Sequence, residues 1–202
     1  MEDKKIFGQY HHTAVGERFI KASAAVTKFC MRHLWFYYLI SCTWGILMTL
    51  FGVLVTAGLG IAKLFNKKIK FEKYGPIYAI KVAPRWGGME AGLMFVRDTT
   101  SAKTVNSHEL GHTFQNVLLG PLFVFVVAIP SAIRWWIRRL QPTKKHPTYD
   151  SVWFEDAATQ CGKWAIEYWE ETHNWKVSEA VETAQGRTIV RYKVHDVTEE
   201  IK

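Results

Sequence analysis

Residues 108–112 read His-Glu-Leu-Gly-His, and they lie between a stretch of short β-like runs and a long apolar run. Positions i and i+4 of a helix lie on one face, so His108 and His112 can both reach one tetrahedral zinc ion. Glu109 projects beside them, where its carboxylate can take a proton from a water that the metal activates. The pattern predicts a zinc site with these two histidines as ligands and Glu109 as general base. Two histidines on an ordinary helix face are the alternative.

A site of this kind needs a third protein ligand and leaves the fourth coordination position open. The segment Trp153-Phe154-Glu155-Asp156-Ala157-Ala158 places a carboxylate early in a helix predicted from about Tyr149 to Glu171. The small residues after it allow close packing against the first helix, so we expect Glu155 to be the third ligand. An acidic residue favoured by the helix dipole is the alternative explanation of Glu155. The other candidate ligands are Asp150, Asp156, Glu167 and His146.

An HExxH motif followed by a distant glutamate in an E-x-x-A context resembles the gluzincin side of the zincin metallopeptidases. Residues 108–115, Leu-Gly-Pro-Leu at 119–122, and Glu155 with Ala158 and Gly162 are similar to small bacterial membrane proteins with these motifs. The similarity covers about residues 75–165.

The resemblance implies zinc held by His108, His112 and Glu155, with Glu109 as general base. It also implies that the strand before the metal-binding helix, about Gly92–Arg97, aligns an extended peptide by β-addition. The sequence departs from the gluzincin pattern at position 159, where many members carry an acidic residue that orients a zinc-bound histidine and this chain carries threonine. Tyr149 and Tyr168 are the candidates for stabilising an oxyanion.

The charge of the chain is divided unevenly along its 202 residues. The net charge of +8 combines +12 in residues 1–150 with −4 in residues 151–202, and the basic part holds the two longest apolar runs. Basic residues beside apolar runs indicate a membrane surface, and no zinc-finger, helix-turn-helix or RNA-binding motif supports nucleic-acid binding. The aromatic content of 14% excludes a disordered polyelectrolyte. Three widely spaced cysteines predict no disulfide framework, and the polar start is unlike a secretory signal.

The first apolar run, residues 34–62, has no charged residue in 29 positions. As a helix it would measure roughly 44 Å, more than the roughly 30 Å hydrocarbon core of a bilayer. Aromatic residues open the run and lysines follow it, as is typical of membrane anchors. We expect a transmembrane or membrane-embedded helix within 34–65, although four glycines leave a bent or hairpin form open. Before it, residues 13–33 predict a basic amphipathic helix.

The second apolar run, residues 113–133, is interrupted by Pro121 and Pro130. If Glu155 shares a metal with the two histidines, the chain must return to the side it left, and no later apolar run can carry it back. The segment 113–137 is therefore expected to be a bent re-entrant or interfacial element, or to pack against the first run. Six lysines follow the first run and four basic residues precede it, which predicts an active site on the cytoplasmic side.

These elements together predict an α+β, membrane-associated fold, mainly helical, with a small β-sheet before the HExxH helix, as in a minimal zincin core. Strands are expected at Tyr78–Val82 and Gly92–Arg97 with a turn at Pro84–Gly88, and a hairpin or edge strand at Thr188–Val194. Helix-capping candidates are Thr99, Thr100 and Ser101. The expected organisation is an N-terminal helix (1–33), a membrane helix (34–65), a metal-binding domain (66–172) and a tail (173–202).

The function that this sequence predicts is a membrane-associated zinc metallopeptidase, with the lipid bilayer and a peptide or protein substrate as partners and no nucleic acid. The alternative is a catalytically inactive membrane protein in which a structural or vestigial zinc site serves a binding or scaffold module. An open fourth coordination position beside Glu109 would favour the enzyme, and a closed four-ligand site would favour the scaffold.

Overall fold

The computed structural model describes residues 6, 8–82, 87–98, 103–141, 144–173, 175–184 and 187–196. The fold is α+β and mainly helical, with a small sheet before the helix that carries the HExxH residues, as predicted. The elements in chain order are α1 (Ala14–Arg32), α2 (Leu34–Cys42), α3 (Ile46–Phe65), β1 (Lys70–Tyr74), β2 (Ile77–Lys81), β3 (Gly88–Ala91), β4 (Met94–Arg97), α4 (Lys103–Leu119), α5 (Ile129–Leu140), α6 (Trp153–Thr172), β5 (Trp175–Ala184) and β6 (Arg187–Asp196).

The sheet has the strand order β1-β2-β4-β3, with β2 and β4 parallel and the other neighbours antiparallel. Strands β2 and β4 correspond to the two predicted runs, whereas β1 and β3 were not predicted. The expectation that the Gly92–Arg97 run is the peptide-aligning edge is wrong, because β4 lies between β2 and β3 and is paired on both sides. Among the described strands, the edge of the sheet beside α4 is β3, which begins with Gly88, the residue at the end of the predicted turn. Residues 83–86 of that turn and the three capping candidates lie outside the described residues.

The two faces of the sheet are covered by different helices. Successive side chains of a strand point to opposite faces, so Ala79 and Phe95 reach the core formed with α4, while Ile80 and Val96 face α3. On α3 the residues that meet this second face are Val55, Leu59 and Ala62. The sheet is therefore a layer between α3 and α4.

The first apolar run is not one straight helix. Helix α2 ends at Cys42 and α3 begins at Ile46, and the break is packed on the C-terminal part of α4. A Cβ on Gly45 would lie 2.9 Å from Asn116 Nδ2, and the Trp44 indole covers Gly120, whose φ of +54° favours glycine. Long-range packing thus decides where the run breaks. Among the described helices, α3 alone is long and apolar enough by itself to cross a membrane.

The second apolar run is bent, as predicted. Helix α4 ends at Leu119, a 3-10 turn at Gly120–Leu122 and a π-helical turn at Val124–Ala128 follow, and α5 continues from there. The segments before and after position 123 are inclined to each other by 116°. Pro121 and Pro130 each stand in the first two positions of a helical segment, where proline is best tolerated.

The remaining predicted elements are present. Helix α1 covers the predicted N-terminal amphipathic segment, with Thr13 accepting a capping hydrogen bond from the Gly16 amide. Helix α6 covers most of the predicted 149–171 helix, and β5 and β6 form the antiparallel pair predicted for the tail. Helices α1 and α4 both pack against α6, which lies at the centre of the helical layer.

Candidate metal centre

The site depends on an unusually close approach between α4 and α6. A Cβ built on Gly111 of α4 would lie 1.9 Å from the Ala158 carbonyl oxygen, and one on Gly162 of α6 would lie 1.6 Å from the Ser107 carbonyl oxygen. Neither position can hold a side chain without separating the helices. Ala158 is fully buried at the same contact, so the small residues that the sequence places after Glu155 do allow the close packing expected of them.

This contact brings His108, His112 and Glu155 together. The two Nε2 atoms are 3.0 Å apart, and Glu155 Oε2 lies 3.0 Å from Nε2 of His108 and 3.2 Å from Nε2 of His112. The three atoms form a nearly equilateral triangle. Within the described parts of the chain, these residues form the group of histidine, cysteine and acidic side chains that could hold a metal ion.

The residues present fit a zinc ion. Ligand atoms about 2.0–2.1 Å from a tetrahedral zinc are about 3.3 Å apart, close to the observed edges of 3.0–3.2 Å. Glu155 is fully buried, and its second oxygen, Oε1, has no hydrogen-bond partner among the described residues. Three carboxyl groups (Glu90, Glu109 and Glu155) and two imidazoles meet here in a buried space, and a divalent cation would stabilise the ionised form of these carboxyl groups.

Each histidine is oriented through its other ring nitrogen. His108 Nδ1 is 2.7 Å from the hydroxyl of Thr159, and His112 Nδ1 is 2.9 Å from the side-chain oxygen of Gln115. Gln115 is itself fixed, because its amide nitrogen donates to the Phe154 carbonyl at 2.7 Å. Partners of this kind set the tautomer and direction of a ligating imidazole. Position 159, where the sequence departs from the gluzincin pattern, thus supplies a hydroxyl that contacts His108.

Glu109 is held between α4 and β3. Its carboxylate accepts a hydrogen bond from the backbone N–H of Glu90, and a Cβ on Gly88 would lie 2.2 Å from its Oε1 atom. The glycine in β3 thus makes room for the carboxylate beside the two histidines.

Glu90 is a site residue that the sequence reasoning missed. It is buried, its Oε1 accepts from the Gly92 amide at 2.6 Å, and its Oε2 has no partner among the described residues. It lines the same cavity as Glu109. A glutamate within an apolar strand-like stretch directly before the HExxH helix is the signal that could have identified it.

The electrostatics of the group are strongly coupled. Burial raises the pKa of Glu155, but hydrogen bonds from His108 and His112 together with their charge outweigh it, so that pKa lies below its ordinary value. Burial opposes a charge on His112, yet the Glu155 carboxylate raises its pKa to about 9. Burial also raises the pKa of Glu109 and raises that of Glu90 to about 8. A metal must displace the proton of His112, so binding becomes weaker as the pH falls.

The other candidate ligands lie elsewhere. Asp156 points away and accepts from the amides of Gln9 and Tyr10, with His12 Nε2 at 2.9 Å. Asp150 lines the cavity without joining the metal-binding group, Glu167 lies over three turns further along α6, and His146 contacts the Gln141 carbonyl.

The two tyrosines proposed for an oxyanion differ in position. Tyr149 lines the cavity with its ring centroid 6.0 Å from that of His108, and its hydroxyl is 2.8 Å from Ser131 Oγ. Tyr168 instead stacks on Trp164, outside the lining of the cavity. Only Tyr149 of the two is therefore placed beside the cluster.

A cavity of about 960 Å³ opens beside the His-His-Glu group. Its lining residues come from α4, the start of α3, strand β3, the π-helical turn and α5, together with Tyr149, Asp150 and Thr159. Its size lies at the upper end of the range of about 300–1,000 Å³ for ligand sites.

Comparison of the chain with protein-family models, curated proteins and solved structures gives no match. The resemblance to the gluzincins therefore rests on the sequence motifs.

Proposed function

We propose that this chain is a membrane-associated zinc metallopeptidase in which His108, His112 and Glu155 hold the metal and Glu109 is the general base. The observation that carries the proposal is the triangle of ligand atoms with 3.0–3.2 Å edges at the wall of a large cavity, with Glu109 beside it. Three protein ligands would leave a bound zinc one coordination position for water or substrate, and the cavity lies beside these ligands.

Bound zinc lowers the pKa of a coordinated water towards about 7 and polarises a carbonyl group. Glu109 takes a proton from the attacking water and later delivers it to the leaving amine. Burial raises the pKa of Glu109 in the metal-free protein, which makes its carboxylate a stronger base for the first of these transfers. The Tyr149 hydroxyl, held by Ser131, can donate a hydrogen bond to the negative charge that develops on the carbonyl oxygen.

Two exposed apolar surfaces support membrane association. The face of α3 that points away from the sheet carries Leu50, Leu54, Ile61, Leu64 and Phe65, each more than half exposed. The exposed face of α5 carries Ile129, Ile133, Trp136, Ile137 and Leu140. Exposed apolar surface on this scale is a feature of membrane or protein contacts.

The packing of α3 favours an embedded helix over a free span. Its inner face covers the sheet through Val55, Leu59 and Ala62, so a spanning α3 would take the unpaired backbone groups of a sheet edge into the hydrocarbon. A helix lying in the membrane surface with its outer face immersed avoids this cost. The basic residues after α3 suit contact with the anionic lipids of a cytoplasmic leaflet, which favours a cytoplasmic location for the metal centre.

The test of the catalytic proposal is metal analysis combined with a peptidase assay. Purified protein should contain one zinc per chain, and Glu109→Gln should keep the metal while losing at least about 100-fold in hydrolysis of quenched fluorescent peptides. Wild-type protein without zinc, or a metal with four protein ligands by X-ray absorption, would contradict the proposal and favour the scaffold alternative.

The membrane proposal has a separate test. Full-length protein should float with vesicles that contain anionic lipids, and replacing Leu54 and Leu64 by glutamate should release it while zinc content stays unchanged. Wild-type protein that stays behind in the flotation gradient would count against membrane association.

A further inference from the structure

The cavity beside the metal centre is polar at one end and apolar over most of its wall. The polar side chains at the metal end are His108, Glu109, His112, Glu90, Tyr149 and Thr159, and the two other polar side chains of the lining, Ser131 and Asp150, lie next to Tyr149. The rest of the lining is mainly aliphatic and aromatic, from Leu47 and Phe51 of α3 to Val127, Ala128 and Trp135 on the opposite side. A ligand that matches this distribution has one polar group and a long apolar part.

The apolar end of the cavity leads to the two exposed apolar surfaces. Leu47 and Phe51 line the cavity and are 48% and 40% exposed, and across the opening Ile129 and Trp136 line it and are 45% and 56% exposed. These residues belong both to the cavity wall and to the outer faces of α3 and α5. The opening is thus continuous with the surfaces that we assign to the membrane.

The lining distinguishes a hydrocarbon chain from a polypeptide. A polypeptide brings one N–H and one C=O per residue into the apolar part, and each such group costs free energy if it finds no partner there. Backbone groups of β3 line the cavity beside Glu109, at the metal end. The side chains of the apolar end have few groups to offer, and the hydroxyl of Ser131 is already bonded to Tyr149. A hydrocarbon chain needs no such partners.

We propose that this cavity binds a single long acyl chain, and that the bond presented to the metal centre is the amide at the head of that chain. The hydrolysis step rests on the function proposed above, whereas the binding of the acyl chain does not. In the reaction, water adds to the amide carbonyl and the C–N bond breaks. The acyl chain leaves as a carboxylate, and the amine takes up the proton through Glu109. The substrate class is therefore an N-acylated amine or peptide drawn from the membrane.

The test measures binding and hydrolysis separately. Amides of one fluorescent amine with acyl chains of four to sixteen carbons are added to full-length protein in a steroid-based detergent, which has no acyl chain to compete. Affinity should rise roughly tenfold for every two methylene groups until the cavity is filled. The dependence of affinity on acyl-chain length should be the same in Glu109→Gln, which should bind the amides without hydrolysing them.

Matched variants locate the chain in the cavity. Ala132 lines the cavity and its neighbour Ile133 does not, although both are exposed on α5, so Ala132→Trp and Ile133→Trp form one pair. Leu47→Trp and Leu50→Trp form a second pair on α3, where Leu47 alone lines the cavity and the two are 48% and 53% exposed. The lining variants should weaken binding of the sixteen-carbon amide at least tenfold, leaving that of the four-carbon amide and the zinc content unchanged. The control variants should bind like wild type.

The outcomes separate this proposal from the proposed function. Chain-dependent binding without hydrolysis by zinc-loaded wild type would leave the acyl site in place and overturn the hydrolase. Affinity that does not depend on chain length, equal effects of lining and control variants, or tighter binding of an apolar peptide of similar length would overturn the acyl site. If the apolar peptide bound more tightly and was also hydrolysed, the cavity would be a polypeptide site.

Discussion

The separation of α4 and α6 is the structural quantity on which the metal centre depends most directly, and Gly162→Ala changes it without touching a ligand. The new Cβ would start 1.6 Å from the Ser107 carbonyl oxygen, whereas real contacts of this kind do not fall below 3.0 Å. The helices must therefore separate by about 1.4 Å. Glu155 lies about two turns from Gly162 on α6, so a shift of this size carries its carboxylate away from the two imidazoles.

Metal-ligand distances tolerate deviations of only about 0.2 Å, so the shift should weaken zinc binding by at least about 10–100-fold. Overpacking of the helix contact should also cost about 1–3 kcal/mol of unfolding free energy. Zinc affinity is measured by competition with a chelator of known affinity, and stability by thermal unfolding of the metal-free protein.

Gly58→Ala is the matched control, because it is the same substitution in a helix where a Cβ would meet nothing within 4 Å. It should leave zinc affinity unchanged and should not destabilise the protein, since alanine is the better helix former. If Gly162→Ala bound zinc as tightly as wild type and unfolded at the same temperature, the described contact between α4 and α6 would be incorrect.

Three further predictions concern the surroundings of the ligands. Thr159→Val should weaken zinc binding about 10–100-fold because His108 loses its orienting partner, and Thr159→Ser should restore it; equal affinities of the two variants would show that the hydroxyl has no such role. Gly88→Ala should displace the Glu109 carboxylate and lower hydrolysis while zinc content stays near wild type, as checked by metal analysis beside the peptidase assay. In the metal-free protein, burial raises the pKa of Glu90 from 4.5 to about 8, so its contribution to stability is full below about pH 4.5 and is lost as the pH rises through 8. Glu90→Gln should remove this loss of unfolding free energy, which amounts to up to about 1.4 kcal/mol per pH unit. Denaturant unfolding between pH 5 and 8 measures it, and a pH profile equal to that of wild type would contradict the raised pKa of Glu90.

Local patterns predicted the elements that depend on nearby residues. The amphipathic spacing of residues 13–33 predicted α1, and the two prolines of the second apolar run predicted its bend. The i, i+4 spacing placed His108 and His112 on one face, and small residues after Glu155 indicated a close helix contact. These features follow from periodicity and side-chain size, which are visible along the chain.

The elements that the sequence did not predict depend on distant contacts. The break between α2 and α3 is fixed by Asn116 and Gly120, more than 70 positions further along the chain. Strand β3 is short and holds a glycine and a glutamate, so its strand propensity is low and pairing with β4 forms it. Its place at the sheet edge brings Glu90 to the site, which no spacing rule relates to position 108.

The sequence by itself indicated the chemical types at the candidate site, two imidazoles and a carboxylate, because residue types and the i, i+4 spacing of the histidines are visible along the chain. Only the tertiary structure decided that Glu155 rather than its neighbour Asp156 faces the histidines, that Thr159 and Gln115 orient them, and that the cavity opens between α3 and α5. The reason is that each of these features depends on the approach of α4 to α6 and on the bend after α4, which are set by packing between residues far apart in the chain.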